Sequence, residues 1–190
     1  MILAVAVILS FAIALVRSRG HPARISDVPM HMVWLAFLAF GLQLVPIYGL
    51  GGQRWAPFSL MAVLLLLSYA LLFVFIWYNR HLPGMKVIAL GVFLNFLVLV
   101  ANGGFMPIAP EALTRLGRSG ELGIHDDCSK DIPMSRDETR LWLLSDIFVF
   151  PPPFPLPTAV SLGDVLLALG AFIFSQKALL SPSSFGSREP

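Results

Sequence analysis

Apolar residues in this chain come in long unbroken stretches, with no alternation of the kind that a half-buried strand or an amphipathic helix would leave. Met1 to Val16 is apolar apart from Ser10 and is followed by Arg17 and Arg19. A second stretch runs from about Met30 to Leu50, with Asp27 placed to cap it and Pro46 near its far end. Gly49, Gly51 and Gly52 then provide a tight connection. The third, Pro57 to Tyr78, has no charge and a proline suited to a first helical turn. After the turn Arg80-His81-Leu82-Pro83-Gly84, a fourth stretch from Val87 to Ala101 stops at Asn102-Gly103, a helix-ending pair. The fifth covers 161–180.

These stretches predict an all-α integral membrane protein: a bundle of five transmembrane helices at about 1–16, 30–50, 57–78, 87–101 and 161–180. An extracytoplasmic cap, 103–160, lies between helices four and five. The first run, with its positive charge after it and no small-residue cleavage site, is expected to be a retained helix rather than a signal peptide. Its sixteen residues rise only about 24 Å against a hydrocarbon core of about 30 Å. Residues 1–180 form one membrane domain on this view, and 181–190 a flexible cytoplasmic tail.

Within the cap, Pro110 to Leu116 predicts a short helix stopped by Gly117. Ser135-Arg136-Asp137-Glu138 is a capping box, expected to open a helix through Leu141–Leu144 that rests on the membrane surface or the bundle. Pro151 to Pro157, five prolines in seven residues, predicts an extended and stiff strap.

Composition agrees with a bilayer: 57% hydrophobic and 13% charged residues, with a mean hydropathy of +0.80. If five helices alternate, Arg17, Arg19, Arg24, Arg80, Lys86, Lys177 and Arg188 share one side. The long region on the other side holds five Lys and Arg against eight Asp and Glu. Basic residues near short loops mark the cytoplasm, so the N-terminus is expected outside and the C-terminus on the cytoplasmic side of the membrane. Trp34, Trp77 and Tyr78 would sit at one interface and Tyr48 and Trp55 at the other. A net charge of +2, dispersed along the chain, gives no footprint for nucleic acid. The single cysteine, Cys128, excludes an intramolecular disulfide.

The candidate chemistry is sparse. Asp164 stands just inside an apolar stretch, where an ionisable group signals function, but Ser161 three residues before it also makes a capping box. Asn95 and Asn102 share a helix face; Gln43 is the expected hydrogen-bond partner for such amides between helices. Gly163 and Gly170 share a face suited to close helix contact. Gly103-Gly104 suits either a backbone approach to a ligand or a helix stop. His125-Asp126-Asp127-Cys128 has metal-binding residue types, but neighbours in sequence seldom converge on one ion and no second cluster completes a site. His21, His31 and His81 have no spacing that selects a pair for a porphyrin. There is no nucleophile elbow. No enzyme, metal or cofactor is therefore expected.

The runs Asn95…Ala101-Asn102-Gly103-Gly104-Phe105-Met106-Pro107, Thr139…Leu144-Ser145-Asp146-Ile147 and Ser161-Leu162-Gly163-Asp164-Val165 resemble a family of bacterial integral membrane proteins known only as a domain of unknown function. The resemblance covers most of the chain and weakens over Gly117–Pro133; Ser145 stands where the family often has glycine. It implies a five-helix multipass architecture and no established activity.

Two functions follow. The first is a non-catalytic structural or accessory component, contacting the lipid bilayer and partner membrane subunits. The alternative is a lipid-, isoprenoid- or ion-binding protein, transporter or enzyme, with an outer-leaflet site at a polar rim of Asn102, Gly103, Gly104, Asp146, Ser161 and Asp164.

Overall fold

A computed structural model describes residues 2–17, 28–49, 56–118, 122–124, 131–154 and 157–180. The capping residue expected at Asp27, Gly51 and Gly52, the run His125–Cys128 and the tail 181–190 lie outside the described residues. Six α-helices appear: α1 (Ile2–Arg17), α2 (Val33–Gly49), α3 (Leu60–Asn79), α4 (Met85–Ala101), the short α5 (Pro110–Arg115) and α6 (Leu162–Leu180). Four three-residue strands accompany them: β1 (Met106–Ile108), β2 (Asp131–Pro133), β3 (Phe148–Phe150) and β4 (Thr158–Val160).

This corrects the expected all-α bundle of five transmembrane helices. Among the described residues α3 alone is long and apolar enough to cross a membrane. The helices α1, α2 and α4 have 16, 17 and 17 residues, rises of about 24–26 Å that fall short of a hydrocarbon core of about 30 Å. In α6, 19 residues long, Asp164 and Lys177 stand in the first and last turns. The alternation of five spans, on which the N-terminus-out and C-terminus-in orientation depended, loses its basis. Apolar runs overstate helices because backbone geometry trims them. Met32 at φ 55° and Phe58 at φ 52° lie outside helical space, so α2 and α3 begin only after them.

The longest helices pack as a row of neighbours, α2 on α3, α3 on α4, α4 on α6 and α6 on α1. Ser59 caps α3 by accepting from the Ala62 N–H at 3.4 Å. A core of Leu65, Tyr69, Met85, Val92, Val98 and Leu99 runs between α3 and α4 and continues into Phe105, Met106 and Ile132 of the cap. Phe73 meets Phe96 edge-on at 5.4 Å.

The closest packing joins α4 to α6. A Cβ added at Gly91 would lie 2.6 Å from the Gly163 carbonyl oxygen, and one at Gly170 only 3.0 Å from that of Gly84. Glycine at both heights of each helix therefore lets the two backbones touch. Gly163 and Gly170, seven residues apart, share one face of α6, and opposite them stand Gly91 of α4 and Gly84, the α4 N-cap at φ 80°. Towards the other end of α6, Ser175 hydrogen-bonds Ser10 of α1, and the Gln176 amide donates to the Ser10 carbonyl at 2.9 Å. The Arg17 guanidinium donates to Gln176 Oε1 at 2.9 Å.

The cap grows from the end of α4. The Gly104 N–H donates to the Leu99 carbonyl at 2.7 Å, closing the helix with Gly103 at φ 76°. The chain then enters β1, fully buried, which pairs in parallel with β2 in the register Met106–Asp131, Pro107–Ile132, Ile108–Pro133. The helix α5 has the expected proline in its first turn; it ends at Arg115 with Leu116 as its C-cap, and Gly117 follows at φ 74°. The capping box expected at Ser135 does not form; Ser135 Oγ instead donates to Glu138 Oε2 at 2.9 Å in a side-chain contact. It closes a turn rather than opening a helix. Leu141 at φ 55° interrupts the chain, and only a 3₁₀ turn, Trp142–Leu144, follows. The proline segment departs from an extended strap as well. The strands before and after it, β3 and β4, pair antiparallel, Phe148 with Val160 and Phe150 with Thr158, so the chain has reversed between them. The Phe154 N–H donates to the Pro151 carbonyl at 3.1 Å within that reversal.

The seam makes a direct prediction. Replacing Gly163 with alanine would put a methyl 2.7 Å from the Gly91 carbonyl oxygen, and forcing the helices apart should cost about 1–3 kcal/mol. At Gly41 of α2 an added methyl meets nothing within 4 Å, so alanine there should be neutral or stabilising by up to about 1 kcal/mol. Thermal unfolding of the two variants in detergent checks the contrast.

Candidate functional site

The polar residues expected to form one rim divide into separate clusters. The first sits where α4 passes the start of α6. Ser161 and Asp164 cap α6 reciprocally: the Asp164 N–H donates to Ser161 Oγ at 3.0 Å and the Ser161 N–H to Asp164 Oδ2 at 3.2 Å. Asn95 of α4 completes the ring. Its amide nitrogen donates to Asp164 Oδ1 at 2.8 Å, and its oxygen accepts from Ser161 Oγ at 2.7 Å. Asn95 and Ser161 are buried, with relative exposures of 1% and 0%. Both carboxylate oxygens of Asp164 thus accept protein donors at a helix N-terminus, where negative charge is favoured. Gly163 lies between them, with Asn95 Cγ only 2.6 Å from where its Cβ would be.

Gln43, the expected partner of Asn95, lies on α2, which packs on α3, whereas the Asn95 side chain is bonded to Asp164 and Ser161. The true partner was readable in part. The Ser161–Asp164 capping box is visible in the sequence, but its contact with Asn95, more than sixty positions away, depends on the glycine seam.

Asn102 anchors the second cluster. Its side-chain oxygen accepts from the Arg140 N–H at 2.9 Å while its amide donates to the Arg140 carbonyl at 2.9 Å and to Val98 at 2.8 Å. One buried amide thereby copies a strand's pairing and fixes the cap to the end of α4. The Gly103 carbonyl accepts from the Phe58 N–H at 2.8 Å, and an added Cβ at Gly104 would approach Ala62 Cα to 3.1 Å. The two glycines therefore tie α4 to the start of α3.

Asp146 is placed elsewhere again. It is 2% exposed beside β1, with its N–H donating to the Pro107 carbonyl at 3.3 Å and a bridge pairing it to Ile108. Asn102 and Asp164 thus have different partners, Val98 and Arg140 for the first and Asn95 and Ser161 for the second, while Asp146 lies beside β1.

A groove of about 680 Å³ opens beside Asn102 and Gly103. Phe58, Val100, Leu122 and Met134 give it apolar walls, and Glu138 and Arg140 line it as well. Neither Asp146 nor Asp164 contributes to this lining.

Other polar contacts were not legible. Asn79, fully buried at the end of α3, accepts from the His31 N–H at 2.8 Å and donates to the His31 carbonyl at 2.7 Å. It holds the chain before α2 and brings the His31 and His81 rings to 5.9 Å between centroids. Among the described residues no group of three or more metal-ligating side chains occurs.

The ring around Asp164 predicts an order of stabilities. Asp164→Asn keeps one acceptor oxygen and should cost no more than about 1 kcal/mol. Asp164→Leu removes both acceptors from the Asn95 amide and the Ser161 N–H, and should cost about 1–3 kcal/mol. Thermal unfolding of both variants measures the order; equal losses would count against it.

An uncharacterized protein of Thermotoga maritima is 30% identical over 144 residues, spanning 75% of this chain and 72% of its own length. No solved structure matches. The model of a family of unknown function, DUF5317, matches residues 27–176. That span includes α2, α3, α4, the cap and most of α6, so both polar clusters fall within it, and the chain belongs to the DUF5317 family.

Proposed function

We propose that the protein is a non-catalytic structural or accessory component of a bacterial membrane assembly, held in the bilayer at least by α3. The observation that carries the non-catalytic part is the closed ring of Asn95, Ser161 and Asp164. The carboxylate at the head of α6 is committed on both oxygens, and the neighbouring amides are spent on holding helices and cap. That network gives the carboxylate a structural role, sealing the α6 terminus against α4.

Residence in the membrane is supported by the surface of α3. Its most apolar 18-residue window is 28% buried, unlike the core helix of a water-soluble domain. Leu60, Val63, Leu67 and Val74 are exposed along it. On α2, Trp34, Phe37 and Phe40 are exposed by 59%, 73% and 61%, an aromatic surface for lipid or for the helices of a partner subunit. At the end of α3 the Arg80 guanidinium lies 4.1 Å from the centre of the Trp77 ring, an arrangement that suits a membrane interface.

Alkaline carbonate extraction of cell membranes tests residence. The full chain should stay in the pellet, as a spanning protein does. Release into the supernatant would remove the membrane from the proposal.

A further inference from the structure

We infer that the groove beside Asn102 binds the head of a zwitterionic aminophospholipid, with the phosphate on Arg140 and the primary ammonium on Glu138. The inference rests on membrane residence only in naming a bilayer lipid as the occupant.

Three features support it. The first is the charge. Glu138 and Arg140 both line the groove, and among the described residues neither is engaged in an ion pair. Among the described residues the one side-chain hydrogen bond of Glu138 comes from the Ser135 hydroxyl, and its carboxylate stays exposed in the groove. A guanidinium binds phosphate through parallel N–H donors, and a carboxylate beside it accepts a primary ammonium. An anionic head lacking an amine would gain the first contact and meet repulsion at the second.

The second feature is preorganisation. Asn102 clamps both backbone groups of residue 140, so the origin of the Arg140 side chain is fixed relative to α4. Phe58, 59% exposed, is held at φ 52° with its N–H on the Gly103 carbonyl. A left-handed aromatic residue is strained, and such strain persists where surrounding structure imposes it, often at ligand clamps.

The third is continuity. Phe58 is followed two residues later by Leu60, the first residue of α3, which is 71% exposed. Val100, another wall of the groove, is 40% exposed on the last turn of α4. Acyl chains leaving the groove can therefore lie on the apolar surfaces of α3 and α4, while the groove, about 680 Å³, takes the head and the first methylenes.

The test is native mass spectrometry of the full chain in a neutral detergent, titrated with equal amounts of phosphatidylethanolamine and phosphatidylglycerol of identical acyl chains. The wild type should retain phosphatidylethanolamine about tenfold over phosphatidylglycerol. Glu138→Gln should bring the two lipids to equal retention, and Arg140→Gln should lower both about tenfold. The Arg140→Gln change leaves the backbone clamped by Asn102 in place, and Glu138→Gln gives a separate readout should the first variant unfold. No preference in the wild type, or a preference that neither substitution alters, would overturn the groove assignment. A preserved preference in a protein that carbonate releases would instead overturn membrane residence and leave the groove standing.

Discussion

The contact on which the rest of the molecule depends is the seam between α4 and α6. Two helices joined by a cap of about sixty residues can touch backbone to backbone only if no side chain intervenes, and Gly84, Gly91, Gly163 and Gly170 meet that condition. Close approach brings dispersion along the whole contact but leaves polar backbone at the α6 terminus without water. The ring of Asn95, Ser161 and Asp164 satisfies those groups at the point where the seam opens into the cap. The seam and its seal thus form one device: the glycines set the distance at which Asn95 can reach the cap of α6.

From that end the cap is suspended by few attachments, each using backbone groups. Asn102 holds residue 140, Gly103 holds Phe58, and β1 carries β2 and the Asp146 bridge beside the buried Phe105 and Met106. Most of the polar residues that draw the eye in the sequence are consumed in this construction. The groove is the exception, since its charged side chains project from a backbone that is already held. A structural framework and a lipid-binding surface are therefore compatible in one molecule, with different residues serving each.

Local signals were legible where one element determines the outcome. The stop at Asn102-Gly103, the short helix from Pro110 and the capping box at Ser161 all form. The paired glycines of the last helix were also readable, but their partners in α4 were not, because nothing in either stretch names the other. Counting spans from apolar runs failed for a physical reason: hydrophobicity measures composition, whereas crossing a bilayer needs an uninterrupted helix of sufficient rise. Met32 and Phe58 remove residues from two helices by their backbone angles, and only the structure exposes that. The reversal between β3 and β4 was likewise hidden, since proline composition predicts stiffness and leaves the direction of the chain open. Arg140 escaped notice because the side chain that lines the groove is unremarkable in sequence; the clamp on its backbone comes from Asn102.

The central claim is that Asn95 and Asp164 act together as the seal of the α4–α6 seam. A double-mutant cycle tests it most directly, with Asn95→Leu, Asp164→Leu and the double variant unfolded reversibly in the same detergent. Each single change strands a polar partner, whereas the double change removes both. The pair should therefore be less destabilising than the sum of its parts by about 1–2 kcal/mol. Losses that add to within about 0.5 kcal/mol would mean that the two residues do not work as a unit, and would contradict the account.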